Sequence, residues 1–243
     1  MEQQSNESTP VVKQPAKVST VPKWEESARA RIQSGLRKIA KPLNTMLEND
    51  AVEADTRHLV TDILEILGYD KYENLTAEYS VKGDFADYGI RIDKQLVAFV
   101  EVKRITQKLS NTHLRQVESY ALKEGVKWAF LTNAQVWQVY HIVPKAGQQS
   151  EVTLVLEVDL LSENVKPSAK TDMMFLFSKE GLSRGRLNDF MSAQDAVSSK
   201  TLVPILTSNA IIDAVRKEVK RKTKHNVDPK ELRTAIQALF DTK

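Results

Sequence analysis

The chain has 243 residues, of which 41% are hydrophobic, and its 35 lysines and arginines against 32 aspartates and glutamates give a formal charge of +3. This charge is nearly neutral, so any affinity for nucleic acid must come from local basic patches and not from the overall electrostatic field. The sequence contains no cysteine, which excludes disulfides and cysteine-based metal sites, and no apolar stretch that is long enough to span a bilayer.

The first elements along the chain are a polar tail and two helices. Residues 1–23 are rich in Gln, Ser, Thr and Pro and have little apolar area to offset ordering, so they predict a disordered tail. They lack the basic-then-apolar order of a signal peptide, and we therefore expect a cytoplasmic protein that does not associate with membranes. A basic helix is predicted from about Trp24 to Ala40, kinked or ended by Pro42. The next helix is predicted over residues 51–67, with Gly68 as its C-cap.

Strand patterns dominate the middle of the chain. Strands are predicted where apolar residues alternate or run together, at residues 75–81, 89–92, 97–100, 128–131, 136–142 and 152–158. One helix lies among them, from about Asn111 to Glu124. This order predicts an α/β fold in which a mixed central sheet is flanked by helices.

The pattern becomes helical past Leu161. Residues 162–171 are polar and include a proline, which predicts a linker. A short apolar element follows at 173–177, and helices are predicted at residues 182–191, 202–205, 210–219 and 229–240. We therefore expect a core domain over residues 24–161 and a small helical C-terminal region over residues 172–243.

Basic residues are densest in this C-terminal region. The cluster consists of Lys217, Lys220, Arg221, Lys222 and Lys224. Such a cluster can bind the phosphates of DNA or RNA without sequence specificity, and Arg115 in the central helix can also reach a phosphate. Basic side chains at the end of a helix equally complement its dipole while remaining solvated, so both interpretations stay open.

Three charged residues lie around one predicted hairpin. The run Val97–Val100 is continuously apolar, as is typical of a strand covered on both faces. Glu101 and Lys103 follow it, and side chains two residues apart leave a strand on the same face. An antiparallel hairpin with the preceding strand brings Asp87 near Glu101. The sequence therefore predicts two carboxylates and an ammonium group side by side at the end of a buried strand.

This combination suits the hydrolysis of a phosphodiester. Two close carboxylates repel each other, which raises a pKa unless a cation joins them, and Mg²⁺ (or Mn²⁺) takes oxygen ligands while keeping several waters. Asp87, Glu101 and the carbonyl of Val102 are the predicted ligands. Lys103 would orient the attacking water or stabilise charge on the phosphate. The alternative is that Glu101 and Lys103 form only an exposed ion pair on a strand, which contributes little.

Several motifs in the central part of the chain resemble the PD-(D/E)XK nuclease superfamily, in particular the N-terminal nuclease domain of type I restriction enzyme R subunits and its stand-alone relatives. The similarity covers about residues 48–160, and the motifs follow the order seen in that family. The matching segments are Glu53-Ala54-Asp55-Thr56-Arg57, Asp87-Tyr88, Glu101-Val102-Lys103-Arg104, Gln116-Val117-Glu118-Ser119-Tyr120, and Leu131-Thr132-Asn133 followed by Trp137 and Tyr140.

The resemblance implies a restriction-endonuclease-like core and a role for each matched site residue. Asp87 and Glu101 would bind Mg²⁺, and Lys103 would assist the attacking water. Gln116 and Tyr120 would lie near the DNA and the metal site. From composition alone, Tyr120 is equally compatible with a place in the core.

The resemblance also predicts a third carboxylate near the metal, and the sequence differs from the family pattern at two points. Glu53 is similar to the helix carboxylate that approaches the metals in this family, although an acid in the first turn also complements the helix dipole. Glu78 is a rival candidate for this extra carboxylate. Ala86 stands where the superfamily has the proline of its name. The sequence contains no Walker loop, which rules out ATP-driven restriction within this chain.

Taken together, these features favour a metal-dependent endodeoxyribonuclease that acts on DNA, with RNA as a second possible substrate and host defence as its expected setting. The complete set of Asp87, Glu101 and Lys103 supports catalysis. The alternative is a non-catalytic nucleic-acid-binding, regulatory or assembly module that keeps the nuclease fold. A nuclease of this size is expected to act as a homodimer or with a separate targeting subunit.

Overall fold

Six strands form one sheet in the computed structural model, which describes residues 21–145 and 149–241. They are β1 (Leu75–Val81), β2 (Asp84–Ile92), β3 (Gln95–Val102), β4 (Trp128–Thr132), β5 (Val136–Val143) and β6 (Glu151–Asp159). The strands lie side by side in chain order, and each neighbouring pair is antiparallel except β3 and β4, which are parallel. Because parallel neighbours need a crossover, a helix connects β3 to β4. The predicted α/β fold with a mixed central sheet is therefore confirmed.

The helices in the described part of the chain flank the sheet and form the C-terminal region. They are α1 (Lys23–Glu48), α2 (Glu53–Ile66), α3 (Asn111–Glu124), α4 (Pro167–Leu176), α5 (Lys179–Ser183), α6 (Arg186–Ala196), α7 (Ser199–Leu206), α8 (Asn209–Thr223) and α9 (Pro229–Asp241). None of these helices is both long enough and apolar enough to cross a membrane. The predicted tail over residues 1–23 lies outside the described residues up to residue 20, and α1 already begins at Lys23.

Each face of the sheet carries its own hydrophobic core. On one face, α3 packs Val117, Tyr120 and Ala121 against Phe99 and Leu131. On the opposite face, α1, α2 and α4 bury their apolar residues in a larger cluster with the strands. The sheet is therefore covered on both sides, as the continuous apolar run in β3 predicts.

The first helix is longer than the sequence predicts. We expected Pro42 to kink or end it, but α1 continues through Pro42 to Glu48. Leu43, directly after the proline, is fully buried in the larger core. Burial of this second half of α1 thus outweighs the backbone hydrogen bond that proline cannot donate.

Two helix boundaries in the C-terminal region also differ from the sequence prediction. The segment 162–171, expected to be a linker, contains the start of α4, with Pro167 at its first helical position. The single helix predicted over residues 182–191 is divided between α5 and α6. Gly185 separates the two helices with a φ of 70°, a left-handed conformation that interrupts a helix.

The first helices of the C-terminal region pack on the core of the sheet. Met174, Phe175 and Phe177 are fully buried in the same cluster as α1 and α2. The buried hydroxyl of Tyr69, which follows α2, donates to the carbonyl of Phe177 at 2.7 Å. Burial raises the pKa of Tyr69 well above its usual value, so the hydroxyl keeps its proton. The division into domains over residues 24–161 and 172–243 stays a prediction.

Tyr69→Phe is expected to lower the free energy of unfolding by about 1–2 kcal/mol, because the carbonyl of Phe177 then lies buried without its donor. Urea denaturation of the purified protein measures this change. The matched control is Tyr72→Phe, since the Tyr72 side chain is 85% exposed and should change stability by less than about 0.5 kcal/mol. If the two substitutions change stability equally, the hydrogen bond between Tyr69 and Phe177 does not stabilise the packing of the C-terminal region on the core.

Candidate active site

The β2–β3 hairpin sets two carboxylates opposite each other. Its register pairs Tyr88 with Val100, and one further step in the same register places Asp87 opposite Glu101. The connecting turn consists of Asp93 and Lys94, which have positive φ angles of 50° and 67°. Two such residues in succession are typical of the tight hairpin turn that matches the twist of its strands. The predicted proximity of Asp87 and Glu101 follows from this register.

Asp87 is held at the end of the hairpin by two donors. Its Oδ2 accepts a hydrogen bond of 2.7 Å from the backbone N–H of Val102, and its Oδ1 lies 3.4 Å from Nη1 of Arg57 on α2. Its side chain is only 12% exposed. Burial raises the pKa of Asp87, while the Val102 N–H and the Arg57 guanidinium oppose that shift. The carboxylate is therefore fixed in position and close to the backbone between Glu101 and Lys103.

Glu101 and Lys103 form a buried pair on the face of the sheet that α3 covers. Lys103 Nζ donates to Glu101 Oε1 at 2.5 Å, and the two side chains are 12% and 3% exposed. The exposed ion pair considered above is therefore not what the structure contains. Burial raises the pKa of Glu101 to about 7; the hydrogen bond from Lys103 opposes this shift and the charge of Asp87 adds to it. The second oxygen, Oε2, is buried and accepts no hydrogen bond from any described residue.

Gln116 and Tyr120 extend this pair into a series of four side chains. Lys103 Nζ donates to Gln116 Oε1 at 3.3 Å, and Gln116 Nε2 donates to the Tyr120 hydroxyl at 2.9 Å. The Tyr120 ring is also buried and lies edge-on to Phe99 at 6.2 Å. Tyr120 therefore belongs to the core and to the site at once. The spacing of four residues on α3 places both polar groups on the helix face that covers the strand end.

The additional carboxylates lie at the edge of this group. Glu53 is the first residue of α2. Its charge raises the pKa of both Asp87 and Glu101, and it is the smallest of the causes acting on either group. It makes no hydrogen bond to either residue in the described structure. Glu78 is exposed, and its Oε1 lies 4.0 Å from Nη1 of Arg57. Glu53 therefore acts on the two carboxylates through its charge, and Glu78 lies beside Arg57.

The predicted nucleic-acid-binding residues lie in two places: Arg115 directly precedes Gln116 on α3, and the basic cluster lies at the end of α8 and just after it. Arg115 is exposed on α3, and all five basic residues of the C-terminal cluster are exposed at the end of α8 and just after it. Arg221 and Lys222 pair with Glu218 on the same helix. Within residues 21–145 and 149–241, no hydrogen bond or ion pair joins the cluster to Asp87, Glu101 or Lys103. Their role in binding nucleic acid stays a prediction.

Sequence reasoning missed several residues that support the site. Thr56 Oγ1 accepts from the backbone N–H of Ile105 at 3.2 Å, and Asn133 Nδ2 donates to the carbonyls of Ile105 and Gln107 at 3.1 and 3.0 Å. These bonds hold the loop that follows Lys103. Arg57 contacts Asp87, as described above. The signal was present, because Thr56 and Arg57 belong to the first matched motif and Asn133 to the last.

The oxygen atoms at this site determine which metal ion the residues could hold. No three His, Asp or Glu side chains come close enough to enclose a metal ion among the residues that the structure describes. Mg²⁺ is commonly held by one or two carboxylates together with waters and substrate phosphates. Asp87 and the unpartnered, buried Oε2 of Glu101 fit that smaller requirement.

Comparisons with known proteins add little to this geometry. No protein-family model matches the sequence, and no curated protein matches it. A solved structure of the type IIG restriction endonuclease BpuSI is similar at a TM-score of 0.32 and 17% sequence identity, over 88% of this chain and 24% of the endonuclease. The chain thus spans about a quarter of the length of that protein. A TM-score this low carries no argument about function.

Proposed function

We propose that the chain hydrolyses phosphodiester bonds of DNA with Mg²⁺ or Mn²⁺, as a stand-alone relative of the nuclease domain of type I restriction R subunits. The observation that carries this proposal is the hydrogen-bonded series from Glu101 through Lys103 and Gln116 to Tyr120, beside Asp87. An ion pair on the surface of a strand needs no hydrogen bonds from a neighbouring helix, such as those that α3 provides here. A hydrolytic site needs such hydrogen bonds, because its groups must be held in one geometry to act together.

The residues of the chain divide the chemical work. Asp87 and Glu101 would hold the metal ion, with the carbonyl of Val102 as a further predicted ligand. The ion would polarise the phosphoryl group and offset its charge. Lys103 carries an ammonium group where it would position the attacking water and stabilise charge developing on the phosphate.

Gln116 and Tyr120 act as positioning residues. Gln116 Oε1 accepts from Lys103, while Gln116 Nε2 is itself fixed by the Tyr120 hydroxyl. Because the Tyr120 ring is buried against Phe99, the outer end of this series is anchored in the core. The ammonium group of Lys103 is thereby kept from rotating into solvent.

Wild-type protein is expected to nick supercoiled plasmid and cut single-stranded DNA with Mg²⁺ or Mn²⁺, and to do neither in EDTA. The same ions should raise the midpoint of thermal unfolding by about 5 °C when they saturate the site, because a ligand that binds the folded state stabilises it. Asp87→Asn is expected to abolish both effects. Asp84→Asn, an exposed position on the same strand, is the matched control and should keep both.

Two results would redirect the proposal. Cleavage that is the same in wild type and in Asp87→Asn would show that the activity arises elsewhere or from a contaminant. Binding of DNA that is never followed by cleavage, with any of these metals, would support the alternative of a non-catalytic nucleic-acid-binding module that keeps the nuclease fold.

A further inference from the structure

A groove opens beside Asp87, between α2 and the β1–β2 hairpin. Its volume is about 410 Å³. Small residues, Ala54 and Ala77, form part of the wall and leave the space open. Asp87 lies on that wall, so the groove leads directly to one carboxylate of the candidate active site. The side chains that reach into it from α2 and the following loop include Arg57, His58 and Lys71.

The guanidinium group of Arg57 contacts its described neighbours through one nitrogen atom, Nη1. Its Nη1 lies 3.4 Å from Asp87 Oδ1 and 4.0 Å from Glu78 Oε1, both at the long end of the range for an ion pair. Its Nε and Nη2 donate to no atom in the described part of the chain. A guanidinium presents a planar set of donors that matches phosphate oxygens, and this one keeps most of its donors available on the groove wall.

Lys71 lines the groove and is exposed to solvent, and the exposed Tyr72 follows it in the chain. Lys71 Nζ lies 5.2 Å from the ring centroid of Tyr72 and forms no hydrogen bond or ion pair with the residues at 21–145 and 149–241. The Tyr72 side chain is 85% exposed, so its ring is open to solvent beside the Lys71 ammonium group. An ammonium group next to an open aromatic face is a combination that binds a nucleotide, through its phosphate and its base.

We infer that this groove binds the nucleic-acid backbone and leads it to the site at Asp87, with Arg57 and Lys71 as phosphate ligands. The inference rests on the proposed function, because it takes the strand that enters the groove to be the substrate. It assigns the main phosphate contacts to this groove and not to the basic cluster on α8. Glu78, on the same wall, opposes the phosphates and weakens binding.

Binding is measured by fluorescence anisotropy of labelled single-stranded and duplex oligonucleotides, with the full chain in EDTA so that no cleavage occurs. Arg57→Gln combined with Lys71→Gln is expected to weaken binding by about 10-fold or more at about 0.1 M salt, and to reduce the slope of log K against log salt by about 0.7–0.9 per lost phosphate contact. Lys220→Gln combined with Lys222→Gln removes the same charge from α8 and is expected to change binding by less than about 2-fold.

Two single variants guard against a folding defect in the double variant. Lys71→Glu changes an exposed side chain and is expected to weaken binding at least as much as the loss of its charge alone. Glu78→Gln removes a negative charge from the same wall and is expected to strengthen binding. A purely structural role of these residues gives no such opposite pair of effects.

The outcomes separate this inference from the proposed hydrolysis. Groove variants that bind as wild type does, or a loss that falls on the α8 variant instead, overturn the inference even if wild type cleaves DNA. Wild type that binds through the groove but cleaves nothing with Mg²⁺ or Mn²⁺ overturns the hydrolysis and leaves the groove assignment standing. Wild type that binds no oligonucleotide at low salt overturns the groove assignment.

Discussion

Lys103→Met is expected to reduce the rate of DNA cleavage by about 1000-fold or more, because it removes the positive group that would orient the water and stabilise the phosphate charge. Methionine keeps most of the length and volume of the side chain, so the packing under α3 is preserved. The buried Glu101 loses its only described hydrogen-bond donor. Its carboxyl group should then hold its proton still more tightly, which adds to the loss of activity at neutral pH.

Single-turnover cleavage of plasmid with Mg²⁺, at equal concentrations of wild type and variant, measures this effect. Circular dichroism and thermal unfolding confirm that the variant is folded. Lys123→Met serves as the control, since Lys123 lies on α3, forms a surface ion pair with Asp84 and donates no hydrogen bond to Glu101, Gln116 or Tyr120 in the described structure. A loss of less than about 10-fold for Lys103→Met would mean that Lys103 has no part in a chemical step.

Glu101→Gln is expected to remove a large pH dependence of stability when divalent ions are absent. The pKa of Glu101 is raised from 4.5 to about 7, chiefly by burial, so the folded state prefers the protonated carboxyl. That preference stabilises the fold fully below the pKa of the unfolded chain and is lost as the pH rises through about 7. A shift of this size corresponds to about 3 kcal/mol.

The measurement is urea denaturation in EDTA at a series of pH values, with the stability of Glu101→Gln subtracted from that of wild type. The difference is expected to fall by about 3 kcal/mol between about pH 4 and pH 8. Glu26→Gln removes an exposed carboxyl on α1 and is the matched control for the loss of one such group. A flat curve for Glu101→Gln would show that folding does not shift the pKa of Glu101.

Local spacing explains why much of the site could be predicted. Glu101 and Lys103 share a strand face because the period of a strand is two, and Gln116 and Tyr120 share a helix face because four residues make about one turn. The hairpin register then brings Asp87 opposite Glu101, as the order of strand, turn and strand indicated. Each of these relations depends only on neighbours along the chain.

The features that were missed depend on contacts between distant segments. Arg57 is separated from Asp87 by β1 and the loop before it, so helix periodicity does not show their contact, although Arg57 belongs to the first matched motif. The continuation of α1 through Pro42 likewise depends on the tertiary burial of Leu43. Backbone propensity favours a break there, and packing overrides it.

The proposed catalytic series from Asp87 to Tyr120 lies within one hairpin and the helix that directly follows it. The hydrogen bonds within this series need the closure of short loops only, which carries a small entropic cost, whereas the supporting contacts from Thr56, Arg57 and Asn133 come from distant segments. We therefore expect these side chains to reach their arrangement early in folding, before the C-terminal helices dock. Insertions and circular permutation near α7–α9 should accordingly spare the geometry of the series, whereas an insertion in the loop between β3 and α3 should disrupt it.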